Sequence, residues 1–143
     1  MIDSIVVDSS IVIKWHVPEP HSVEAHRILD EYQAGNLNLM APDLIHAEVG
    51  NILWKKQRFQ GLSAADAKLI LDVFRGLSIT LTSTAVLLEE AFRLAVAHQR
   101  TVYDAMYLAL GIRENSRFVT ADEKLANAVK GIFSNVIWVG NWP

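Results

Sequence analysis

Four acidic residues, Asp8, Glu48, Asp104 and Asp122, fall where they can act together. Asp8 closes a short β-branched run, SIVVD (Ser4–Asp8), and Asp122 lies two residues beyond another, in SRFVTAD. Glu48 stands in the first half of one helical pattern and Asp104 in the first turn of another. In an open parallel sheet, ligands bind at the carboxyl ends of the strands, and helices that follow strands begin at that same edge. All four side chains can therefore converge in one crevice. Carboxylates gathered there repel, and either take up protons or share a cation. Hard oxygen ligands without thiolate suit Mg²⁺ or Mn²⁺. One such ion polarises a phosphodiester and activates water, and two can stabilise both the attacking and the leaving oxygen.

Each acid alone has an ordinary reading. Asp8 and Asp122 are good helix caps, Asp104 suits a helix dipole, and a glutamate such as Glu48 is usually solvated. Gly50 lies inside the helical pattern of Glu48 at a cost of about 1 kcal/mol relative to alanine, which suggests close approach to a neighbour. Thr120 and Ser10 are hydroxyls near the same edge, able to orient a carboxylate or a water. A local backbone hydrogen bond is the simpler reading of Ser10, and Thr120 stands open between the two.

The elements that must position these residues alternate between β-like and helical patterns. SIVVD is followed by IVIKW as a first helical turn, and Pro18 and Pro20 interrupt the chain. Ser22 is expected to cap a helix through about Gln33, stopped at Gly35. NLNLMAP (Asn36–Pro42) reads as a second strand, and Asp43 as the cap of a helix to about Phe59. Ser63 with Asp66 resembles a capping box for a helix to about Arg75. Strands are expected at Ser78–Ser83, Arg117–Thr120 and Asn135–Gly140, and helices at Thr84–His98, Tyr103–Glu114 and Asp122–Val129. Strands apolar throughout belong to parallel sheets covered on both faces. The expectation is an α/β domain, a three-layer α/β/α sandwich whose mostly parallel sheet has about five strands. Residues 1–143 read as one domain, without repeat or linker, and the helix pair between Asp43 and Arg75 as a small subdomain at one edge.

Composition narrows the partners. The charge is −3, from 13 Lys plus Arg against 16 Asp plus Glu. A protein that holds nucleic acid through phosphate contacts alone is usually basic, so a nuclease here needs bound dications, or a basic partner, to offset phosphate repulsion. There is no cysteine, which removes disulfides, thiolate metal sites and cysteine nucleophiles. MIDSIVVDSS carries Asp3 and Asp8 and no basic leader, and no apolar stretch approaches membrane-spanning length. A cytoplasmic protein with no membrane partner is the expectation.

VVDSSIVIKW, HAEVGNILWK, TVYDAMYLALG and FVTADEKLANA resemble the four acidic motifs of PIN-domain proteins, and more narrowly those of VapC-type toxins from toxin–antitoxin pairs. The resemblance covers nearly the whole chain, in the family's order and spacing. It implies that Asp8, Glu48, Asp104 and Asp122 are metal-binding acids, with Thr120 the hydroxyl beside the fourth. It implies a PIN-like fold, a Mg²⁺- or Mn²⁺-dependent endoribonuclease acting on RNA such as a tRNA or ribosomal RNA, a homodimer, and a cognate antitoxin that blocks the crevice.

Two other readings compete. Aspartyl-phosphate phosphatases and receiver domains also end a first strand with Asp, but here Ser9 and Ser10 follow Asp8, with no second aspartate two positions on. No lysine ends a later strand; Thr120 and Asp122 occupy that edge. The other reading is a non-catalytic binding module whose acidic crevice grips a basic peptide. Among basic residues, Lys14, Lys55, Lys56, Arg58, Arg100, Arg113 and Lys124 are able to line a path for phosphates, Lys124 being nearest the acids in sequence; a solvated face is the ordinary alternative. Trp15, Trp54, Trp138 and Trp142 read as core or interface rather than as base-stacking platforms. His46 points to a different helix face from Glu48 and is not taken as a ligand. The helices Asp43–Phe59 and Ser63–Arg75 are the expected dimer face.

Overall fold

The computed structural model describes residues 2–143. Five strands form one sheet: β1 (Asp3–Val7), β2 (Leu37–Pro42), β3 (Thr80–Thr82), β4 (Arg117–Thr120) and β5 (Val136–Trp138). Their spatial order is β3-β2-β1-β4-β5, and every pairing is parallel. Ile5, Val6 and Val7 are fully buried in succession. Successive strand residues point to opposite faces, so the central strand is covered on both sides, as its unbroken apolar run predicts.

The covering helices are α1 (Ser9–Lys14), α2 (Ser22–Gln33), α3 (Leu44–Phe59), α4 (Ala64–Arg75), α5 (Thr84–His98), α6 (Val102–Arg113) and α7 (Glu123–Val129), and a 3₁₀ turn spans Val139–Asn141. The most enclosed is α6, in which every residue from Ala105 to Gly111 is buried; it packs on α5 and on β1, β2 and β4. A helix apolar all round belongs inside, which is why this segment shows so little amphipathic pattern. Gly111 permits its close seating, because a Cβ there would stand 2.9 Å from Asn135 Nδ2 and 3.3 Å from Ser116 O. Trp15 and Trp142 are buried, and the Trp15 indole N–H donates to Ala25 O at 2.7 Å. Among the described residues no helix is long and apolar enough to cross a membrane.

Three local expectations differ in the structure. Ser22 is the first residue of α2 rather than its cap; His21 holds that place in the left-handed region, φ 66°, and the Ser22 hydroxyl instead accepts from Glu19 N at 2.9 Å. Asp43 precedes α3 but makes no side-chain cap there. Its Oδ1 accepts from Thr84 N at 3.0 Å, satisfying the start of α5 across 41 residues, while its own N–H donates to Thr82 O at 2.9 Å. Gly50 has open space where a Cβ would stand, so no close approach explains it. The Ser63 cap is present, accepting from Asp66 N at 3.0 Å.

Candidate active site

The chain runs outward from β1 through β2 to β3, then crosses back to β4 and β5 on the other side. The strand order reverses between β1 and β4, and a crevice opens at the carboxyl ends of two such strands. Val7 pairs with Val119, which sets Asp8 beside Thr120 one step further on. Thr120 is fully buried and Asp8 8 % exposed, the two buried polar residues among the described ones. The Thr120 hydroxyl donates to Asp8 Oδ2 at 2.5 Å and accepts from Asp122 N at 3.0 Å.

Ser10 completes this floor. Its hydroxyl donates to Asp8 Oδ1 and accepts from Ala121 N at 3.0 Å, tying the β1–α1 turn to the β4–α7 turn. The simpler reading, a local backbone bond, is therefore corrected for Ser10. Asp8 also caps α1, accepting from Ser10 N and Ile11 N. Even so, burial raises its carboxyl to about 6, with the Glu48 charge adding to the rise while the Ser10 and Thr120 hydroxyls pull it down.

Glu48 reaches the site from α3, whose start follows β2 directly, and Asp104 from the first turn of α6. Tyr107 lies one helical turn beyond Asp104, on the same face. Its hydroxyl donates to Glu48 Oε1 at 2.5 Å, fastening α6 to α3. Burial, then the nearby Glu48 carboxylate, holds the Tyr107 phenol well above its usual range. Glu48 is raised by burial and by the charge of Asp104. Asp104 is raised by burial and by Asp122, against the opposing pull of Arg100, whose guanidinium stands 3.4 Å from Asp104 Oδ2. Asp122 caps α7, its Oδ1 accepting from Leu125 N at 3.0 Å.

The four acids thus form an electrostatic chain, Asp8 to Glu48 to Asp104 to Asp122, each feeling the next. They are not a tight knot: among the described residues no three His, Cys, Asp or Glu side chains are gathered closely enough to hold one metal ion as they stand. Thr120, Ser10, Tyr107 and Arg100 each hold one of the acids by a hydrogen bond. Three of the four acids keep an oxygen free. Glu48 commits Oε1, Asp104 Oδ2 and Asp122 Oδ1, and the second oxygen of each has no hydrogen-bond donor among the described residues. A donor set of hard oxygens with open lone pairs fits Mg²⁺ or Mn²⁺.

Tyr107 was not among the candidate residues from sequence. The signal available was its spacing from Asp104 and a lone hydroxyl in an apolar run. Lys124 is exposed on α7, and His46 stacks edge-on against Phe74.

A doubly wound parallel sheet with acids at its switch point defines a class, and the sequence comparisons agree. Residues 5–131 match the family model of the PIN domain, and the chain belongs to the PIN-domain family. It is 36 % identical over 126 residues to Ribonuclease VapC3 of Pyrobaculum aerophilum, across 85 % of this chain and 92 % of that one. It is 30 % identical over 104 residues to Ribonuclease VapC9 of Mycobacterium tuberculosis, across 70 % and 80 %. Two crystal structures share the fold. PAE2754 from Pyrobaculum aerophilum superposes with a TM-score of 0.66 at 24 % identity, covering 98 % of this chain and 93 % of that one. Mycobacterium tuberculosis VapC20, described as a sarcin–ricin loop cleaving toxin, superposes with a TM-score of 0.63 at 18 % identity, covering 87 % and 94 %.

Proposed function

We propose that this protein is a divalent-metal-dependent endoribonuclease, the toxin of a toxin–antitoxin pair, with Asp8, Glu48, Asp104 and Asp122 as the acids that hold Mg²⁺ or Mn²⁺ and Thr120 as their supporting hydroxyl. The observation that carries this reading is the chain of four carboxylates at one sheet edge, three of them raised by burial and by one another. Similarity to proteins named as VapC ribonucleases supports RNA as substrate and a cognate antitoxin as partner.

The chemistry a bound dication supplies is Lewis acidity, toward the scissile phosphate and toward water. The protein's own residues do the rest. Thr120 and Ser10 fix the Asp8 carboxylate on both oxygens, so its remaining lone pairs face the crevice without rotational cost. Tyr107 leaves Glu48 one free oxygen in a set orientation, as a second layer of partners does at metal sites. Arg100 shields Asp104 and is a ready cation for an RNA phosphate once that acid has another partner.

Cleavage of total RNA, and of a sarcin–ricin-loop hairpin, with Mg²⁺, with Mn²⁺ and with EDTA tests the reading. Cleavage is expected with either metal and is expected to vanish in chelator. Undiminished activity in EDTA would end the proposal, and stable phosphate on Asp8 would favour an aspartyl-phosphate protein.

We also propose a homodimer. Trp54 and Phe59, edge to face at 5.9 Å, and Leu69 and Val73 expose apolar surface along α3 and α4, the expected contact face. Trp54→Glu is expected to shift the mass measured by light scattering to that of a monomer. If Phe92→Glu on the outer face of α5 does so instead, the contact lies there.

A further inference from the structure

Beside the acids, a second cavity of about 290 Å³ opens between α1, α3 and the β4–α7 turn. Ser10 and Asp122 form the wall it shares with the acidic site, and Lys14, Lys55 and Lys56 line the rest with Glu19. The Glu19 carboxylate is divided: Oε1 stands 3.3 Å from Lys14 Nζ and Oε2 3.1 Å from Lys56 Nζ. The side chains of Lys14 and Lys56 are only 11 % and 13 % exposed. A lysine commonly buries its stem and leaves its ammonium in water, whereas here two largely buried lysines turn their ammonium groups to one carboxylate at the same cavity. Lys55 makes no ion pair among the described residues, and it adds a third positive charge.

This arrangement exceeds what a structural ion pair requires. One lysine would balance Glu19; a second largely buried one adds desolvation that the same carboxylate does not repay, and exposed Lys55 adds a further charge at the rim. The excess is local and positive in a chain of net charge −3. An RNA strand approaching the acids meets repulsion from four carboxylates, and its affinity comes chiefly from cations set against its phosphates.

We propose that this cavity is a phosphate subsite, in which Lys14, Lys55 and Lys56 hold the RNA phosphate adjoining the one at the acids, and that Glu19 is the resident anion it displaces. The inference rests on the ribonuclease reading and names where the substrate backbone is gripped. Ser10 links the two sites, since the hydroxyl that holds Asp8 also lines the cavity.

The test is steady-state cleavage of a single-stranded RNA with Mg²⁺ over a range of KCl concentrations, comparing the wild type with Lys55→Ala, Lys56→Gln and Glu19→Gln. Each lysine variant is expected to raise KM about tenfold at low salt with kcat within a fewfold, and to flatten the dependence of log kcat/KM on log salt by roughly 0.7. Glu19→Gln is expected to lower KM, because it removes the competing anion. Lys55→Ala breaks no ion pair, so its folding is not in question. Unchanged KM and salt slope in the lysine variants, with wild-type cleavage intact, overturn the subsite alone. The same holds if Glu19→Gln weakens the enzyme as the lysine variants do, the mark of a merely structural network. A wild type that cuts no RNA overturns this proposal and the ribonuclease reading together.

Discussion

Asp8→Asn is expected to reduce RNA cleavage at least about a thousandfold while raising the melting temperature of the metal-free protein. The two effects have opposite signs because they come from the same buried charge. On the proposed role of Asp8 as a metal ligand, its loss forfeits much of the several kcal/mol that a bound dication supplies as a Lewis acid, and each 1.36 kcal/mol is a factor of ten in rate. Without a cation, that carboxylate costs the fold. Burial raises Asp8 from 3.8 to about 6, which corresponds to a cost of about 3 kcal/mol at neutral pH as an upper bound. Asparagine keeps the shape without the charge: its oxygen stays with Ser10 N, Ile11 N and the Ser10 hydroxyl, and its amide faces Thr120, whose hydroxyl can rotate to accept. A gain of several degrees follows, offset in part because asparagine has one acceptor oxygen for the donors that aspartate satisfies with two. Cleavage by Asp8→Asn within tenfold of wild type would remove Asp8 from the reaction.

The second large effect is on stability against pH. The folded-state pKa of Asp8 lies above its unfolded value, and those of Glu48 and Asp104 are raised as well. In such a case the unfolded chain gives up its protons first. The stability associated with protonated Asp8 is therefore complete below about pH 3.8 and is lost as pH rises through about 6, and Glu48 and Asp104 act in the same direction. Other groups titrate over the same range, so the clean measure is a difference. The melting temperatures of wild type and Asp8→Asn, in EDTA, are expected to converge as pH falls from 7 to 4. Excess Mg²⁺ should stabilise the wild type at pH 7 and do little at pH 4, where protons occupy the oxygens it needs. A gap that stays constant across this range would show that Asp8 is not held uncomfortably charged.

What could be read in advance followed the range of the interaction. The strand Arg117–Thr120 and the helix Thr84–His98 coincide with their expected limits, since period, caps and burial there are written in neighbouring residues. The placement of the four acids at one edge was legible because Asp8 and Asp122 follow strands while Glu48 and Asp104 stand in the first halves of helices that begin at that edge. What was not legible depends on partners far along the chain. Asp43 looks like a cap for α3, yet its carboxylate serves Thr84. Ser10 looks local, yet it joins turns 111 residues apart. Tyr107 lies hidden in an apolar run until α6 is laid against α3 and its hydroxyl meets Glu48. The spacing of the acids was likewise beyond composition. Hydroxyl, phenol and guanidinium partners hold them as a linked series, and no sequence pattern specifies that distance.

The pairing of Asp8 with Thr120 joins residues 112 positions apart, and this has a consequence during translation. The central strand is made first and the strand beside it near the end. A nascent chain carries its first acid early, but has no wall to set it against until β4 leaves the ribosome and docks. Local pieces such as α2 or α4 can form sooner; the crevice cannot, because such distant contacts close late. Synthesis itself thus yields no assembled crevice until the chain is nearly complete.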